Sequence, residues 1–111
     1  MKTPFAAVAL AACCFLLFSV SCRTHDVRTA RIAVPELKNR QCEELILAAL
    51  RKTEGVLADK TQFGKNSVTV TYDSMKLAIK NLESAIAEAG FTANDTPAVP
   101  AARAALPAEC K

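Results

Sequence analysis

A chain of 111 residues with a formal net charge of +3 has room for one domain. With one tyrosine, five phenylalanines and no basic stripe interleaved among them, the mild positive charge does not mark a nucleic-acid surface. A single histidine, no Ser-His-Asp set, no carboxylate pair at catalytic spacing and no glycine-rich phosphate loop speak against an enzyme.

The N-terminus reads as a targeting segment. Lys2 gives a short positive start, and FAAVALAACCFLLFSV (5–20) is an uncharged apolar run, too short for a permanent membrane span and of the right length for a signal-peptide core. Ser19 and Ser21 are small where a signal peptidase requires it, which predicts a signal peptide over 1–21 and a cut before Cys22. A small residue directly before a cysteine also resembles the bacterial lipoprotein signal, whose cysteine takes a diacylglycerol anchor, although Ser19 stands where that pattern favours leucine. The expectation is therefore an exported protein of the bacterial periplasm or cell envelope. It is membrane-anchored if Cys22 is lipidated, and plainly secreted with a free Cys22 if not.

Residues 22–27 read as a polar tether, in which His25 is a solvated histidine before it is a metal ligand. RTARIAVP (28–35) alternates, with Ala30, Ile32 and Val34 on one face, and Pro35 closes it; this predicts a half-buried strand. Asn39 is the expected N-cap of a helix over Arg40 to Thr53, with Leu45, Ile46, Ala49 and Leu50 as its apolar stripe. Gly55 ends that helix. VLADKTQF (56–63) predicts a weaker strand, with Asp59 near its exposed beginning. After a turn at Gly64-Lys65-Asn66, SVTVTY (67–72) predicts a strong one. Asp73 or Ser74 is the expected cap of a second helix, Met75 to Ala89, with Ile79, Leu82 and Ile86 inward and Glu83 and Glu88 in water. Gly90 stops it, and FTAN (91–94) predicts a short last strand. From Asp95 the composition turns to proline and alanine, which predicts an extended, disordered tail over 95–111.

Strand, helix, strand, strand, helix, strand is the order of a ferredoxin-like βαββαβ unit. The expected fold class is thus α+β over 28–94: a four-stranded antiparallel sheet with two helices on one face.

With that order in hand, several pieces of the chain resemble the heavy-metal-associated domain, the family of copper chaperones, the mercuric-ion-binding periplasmic protein and the N-terminal modules of metal-pumping ATPases. They are the strand running into a loop, a cysteine with Ile46 four residues on, Glu54-Gly55-Val56, VTVTYD (68–73) and EAGF (88–91). The resemblance implies a soft-metal site built from a methionine, any residue, a cysteine, two residues and a second cysteine. Laid on this chain, the second cysteine is Cys42, the first falls on Asn39 and the methionine on Leu37. Leu37 can pack under the loop as the methionine mostly does, and Phe91 matches an aromatic beside it. Two sulfurs hold Cu(I) or Hg(II) in the family, and an asparagine carbonyl is a poor substitute.

Cys42, at the first turn of a helix, is either a reactive thiol favoured by unpaired N–H groups or an inert, half-buried one. Cys110 bears on the choice. Cys13 and Cys14 leave with the signal, so Cys22, Cys42 and Cys110 remain. Extended at ~3.1 Å per residue, the tail reaches roughly 45–50 Å, against a domain with a radius of gyration near ~11 Å. Cys110 therefore reaches Cys42, either as a second thiolate for one soft metal ion or as a disulfide partner. The functional expectation is binding or transfer of a soft metal ion, Cu(I) or Hg(II), through Cys42 with Cys110 or a partner's cysteine. The implied partners are a metal-transporting membrane protein or another metal-binding domain. The alternatives are a metal-free interaction domain with a decayed site, and a thiol-redox module using Cys42 and Cys110.

Overall fold

The computed structural model describes residues 25–111. The expected signal peptide, Cys22 and most of the tether lie outside them. The alternating segments pair as their patterns predict. Strand β1 (Val27–Ala33) and strand β3 (Ser67–Asp73) run antiparallel, with Ala30 opposite Val70 and Ile32 opposite Val68. A shorter β2 (Gln62–Gly64) pairs with the other side of β3, giving the order β1-β3-β2. The apolar parity of β1 and β3 points into one core, where Ile32, Val34, Val68 and Val70 are fully buried. Helix α1 (Arg40–Arg51) and helix α2 (Ile79–Glu88) close that core. Cys42, Ile46 and Leu50 come from α1 at four-residue spacing, and Leu82 and Ile86 come from α2.

Four expectations need correction. Among the described residues the sheet has three strands, not four. Residues 91–94 begin beside β1, with Phe91 and Ala93 fully buried. Asn94 makes the one rung: its N–H donates to the Ala33 carbonyl at 2.9 Å and its Oδ1 accepts from the Ala33 N–H at 2.8 Å. Asn94 then adopts a left-handed φ of 51°, and the chain folds back through an Ala93–Thr96 bridge before a second rung can form.

The weaker strand is interrupted. Val56 bridges to Tyr72 and the Leu57 N–H donates to the Thr71 carbonyl, but Ala58–Lys60 loop out as a 3₁₀ turn before β2 resumes. Asp59 is exposed on that turn.

Helix α2 starts at Ile79, four residues later than expected. Asp73 does not cap it, because its carboxylate is engaged elsewhere: Oδ1 accepts from the N–H groups of Asp26 and Met75, both at 3.0 Å, and Oδ2 meets His25 Nδ1 at 3.1 Å. Asn81 Oδ1 takes the Ala78 N–H in its place. Leu82 and Ile86 face inward as expected, but two neighbours do not follow the expected stripe. Ile79, expected inward, is 45% exposed, and Glu83, expected in water, is 3% exposed. Glu83 accepts from Lys80 Nζ at 3.1 Å and Thr96 Oγ1 at 3.3 Å, so its buried charge has partners.

The segment after Asp95 is folded rather than extended. Its composition supports both readings: proline suits the first position of a helix, and alanine is the best helix former. Helix α3 (Pro100–Ala104) starts on Pro100 and a 3₁₀ turn runs over Ala108–Cys110. Leu106 and Cys110 are buried in the same core as the sheet. Gly90, at φ +103°, leaves the necessary room, since a Cβ there would lie 2.9 Å from Leu106 Cδ1 and from the Ala102 carbonyl.

Candidate functional site

Strand β1 leads out through buried Val34 and a tight turn in which the Leu37 N–H donates to the Val34 carbonyl at 3.1 Å. Leu37 is buried beneath this loop. Asn39 caps α1 as its residue type predicts, with Oδ1 accepting the Cys42 N–H at 3.1 Å. Cys42 is thereby held at the third helical position, where the N-terminal N–H groups and the helix dipole favour a negative sulfur.

That sulfur is not free. Cys42 and Cys110 form a disulfide, their Cα atoms 5.7 Å apart, and both residues are fully buried. Cys42 Sγ lies 3.3 Å from Asn39 Oδ1 and 3.9 Å from the Glu109 carbonyl. These are packing contacts, because a disulfide sulfur has no proton to donate. Of the residues singled out from the sequence, Leu37, Cys42, Phe91 and Cys110 share one buried cluster, while Asn39 stays exposed at its edge. Cys22 lies outside the described residues.

Sequence reasoning missed the polar frame around the pair. Glu36 accepts from the Thr92 N–H at 3.1 Å, from Thr92 Oγ1 and from Arg103 Nη1 at 3.3 Å. Lys38 Nζ donates to the Lys111 main-chain oxygen at 2.6 Å. Arg103 is the one charged residue between Asp95 and Glu109, and that isolation in an alanine-rich stretch was the available signal.

A second polar cluster sits where β1 begins and β3 ends. There Asp26 Oδ2 accepts from Arg28 Nε at 2.9 Å and Ser74 Oγ at 2.7 Å. Hydrogen bonds from the Asp26 N–H, from His25 and from the Met75 N–H lower the Asp73 pKa to about 2. Among the described residues no group of three or more His, Cys, Asp or Glu is placed to hold a metal ion, so the thiol pair is the candidate for a soft cation. No described helix is long and apolar enough to cross a membrane.

Among solved structures, the mercury-bound form of MerP, the periplasmic protein of the bacterial mercury detoxification system, is similar to this chain at 32% identity and a TM-score of 0.52, over 62% of this chain and 96% of that one. The chain belongs to the heavy-metal-associated domain family. Oxidized MerP from Ralstonia metallidurans CH34 is similar at 27% identity and a TM-score of 0.57, over 62% of this chain and 96% of that one. The CopZ metallochaperone, at 22% identity, a TM-score of 0.55 and coverage of 60% and 98%, shares the fold. No protein-family model matches the sequence, and no curated protein matches it. The ferredoxin-like α+β arrangement is thus common to this chain and its neighbours, with three strands among the described residues here. Asn39, the position onto which the motif's first cysteine falls, is the N-cap of α1.

Proposed function

We propose that this heavy-metal-associated domain binds and transfers a soft metal ion, Cu(I) or Hg(II), through Cys42 and Cys110 once their disulfide is reduced. The observation that carries the reading is the Cys42–Cys110 bond itself. With Cα atoms 5.7 Å apart, the two side chains converge on one point. Cys110 thereby supplies the sulfur that Asn39 does not. Two thiolates are the donor set that soft ions prefer, and the ion is cargo that displaces the two thiol protons. Transfer would proceed by ligand exchange, a partner's thiolate replacing one of the pair at a time. The partner class is a metal-transporting membrane protein or another metal-binding domain.

Export is part of the proposal. It is supported by the signal-like residues 1–21 and by the likeness to a protein described as periplasmic. Lipidation of Cys22 would tether the domain to a membrane.

Titrating the reduced mature protein with Cu(I) or Hg(II), beside Cys42→Ser and Cys110→Ser, tests the reading. It predicts one ion per protein, loss of tight binding in both variants and no binding to the oxidised form. Unchanged affinity in both variants overturns it. A second reading, a metal-free interaction domain with a decayed site, is favoured by the full burial of both sulfurs. That reading predicts no tight binding in either redox state.

A further inference from the structure

The last thirteen residues touch the body at a small set of places. The Val99 N–H donates to the Ala87 carbonyl at 3.0 Å, Leu106 fills the space above Gly90, and Arg103 meets Glu36 at 3.3 Å. The Lys111 oxygen accepts from Lys38 at 2.6 Å, and Cys110 is bonded to Cys42. Three of these contacts fall on residues 36–42, the loop and first helical turn that carry Cys42, and two fall on 87–90 at the end of α2. We propose that residues 99–111 are a redox-latched strap: the Cys42–Cys110 bond holds it over the thiol loop, and reduction releases it and uncovers Cys42.

The non-covalent contacts are too few to hold the strap alone. Among the described residues they are one buried leucine, two hydrogen bonds (Val99 to Ala87 and Lys38 to Lys111) and one ion pair whose arginine is 37% exposed, against the backbone entropy of a dozen residues. The bond converts that weak docking into an intramolecular one.

The reductant is a dithiol. One of its thiolates attacks Cys110 Sγ, forming a mixed disulfide and expelling Cys42 as a thiolate. Its second thiolate then attacks its own sulfur in that mixed disulfide, releasing Cys110 as a thiolate. The dithiol leaves as a disulfide, two electrons richer cysteines remain, and the two thiolates take up the protons the dithiol gave. Cys42 is the better leaving group because the α1 N-terminus stabilises its thiolate. Both sulfurs are buried, so the first attack waits on an opening of the strap end.

This inference deepens the metal reading, since release of the strap is what would let a partner's thiolate reach Cys42. Its test uses no metal, so either can fail without the other. Amide hydrogen exchange, read by mass spectrometry, is compared for the mature protein oxidised and after dithiothreitol, and for Cys110→Ser. The expected result is exchange over 99–111 that rises roughly 100-fold on reduction, with β1 and β3 still protected, and the same pattern in Cys110→Ser without reductant. Protection of 99–111 that survives reduction, or loss of protection throughout the domain at once, overturns the proposal.

Discussion

Cys42 and Cys110 are bonded across 68 positions of sequence, and the bond joins the first turn of α1 to the end of the C-terminal strap. It links the cysteine at the mouth of α1 to a segment outside the β1–α2 body. Chemistry, stability and access to the loop are coupled through this single connection.

The bond restricts the unfolded chain, and a loop of this length is worth about 4 kcal/mol in the chain-entropy model. Cys110→Ser should lower the free energy of unfolding by less than that, because the reduced native state regains the freedom of residues 99–111. Urea unfolding of the mature protein, with and without dithiothreitol, measures it. The variant and the reduced wild type should coincide. A variant markedly less stable than the reduced wild type would show that Cys110 contributes something other than the bond.

If Asn39 is where the second sulfur was lost, putting one back should make Cys110 dispensable. The double variant Asn39→Cys, Cys110→Ser is expected to bind Cu(I) or Hg(II) when Cys110→Ser alone does not. The exchange also removes the cap that Asn39 Oδ1 provides to the Cys42 N–H. Stability should therefore fall by about 1 kcal/mol relative to Cys110→Ser. Metal titration and urea unfolding of the same samples give both numbers.

Asp73 makes the domain sensitive to acid at the end remote from the thiols. Its folded pKa, about 2, lies below the ordinary carboxylate value near ~3.9. The unfolded chain therefore binds the proton more readily. The stabilisation is fully present above pH ~4 and is lost as pH falls from there towards 2. Asp73→Asn should flatten the stability profile across that window. A wild-type and variant profile that run parallel from pH 5 to pH 2 would contradict the assignment.

Much of the body was legible because it rests on local pattern. The alternation in β1 and β3 has one buried parity, and Asn39 is a cap by residue type; each follows from neighbours a few positions away. What escaped depends on distant partners. The start of α2 is set by Asp26 and His25 claiming the Asp73 carboxylate across 47 and 48 residues, and no local propensity records that. Ile79 and Glu83 exchange their expected surroundings. The fourth strand failed on one residue, Asn94, whose left-handed turn stops the ladder after a single rung. In the strap, composition pointed to an extended chain, while Leu106, Arg103 and Cys110 found partners at Gly90, Glu36 and Cys42. The pairing of the two cysteines was open on grounds of reach alone. The frame of Glu36 and Lys38 around it was not readable, because isolated charges in a loop look the same whether or not a distant segment lands on them.

The pairing of Cys42 with Cys110 is the claim on which function and strap both depend. Its most direct measurement is thiol alkylation of the native, metal-free mature protein before and after reduction, followed by peptide mass mapping. The prediction is that neither cysteine is alkylated before reduction, that their peptides travel as one linked mass, and that both are labelled afterwards. Free alkylation of Cys42 and Cys110 in the unreduced protein would contradict it.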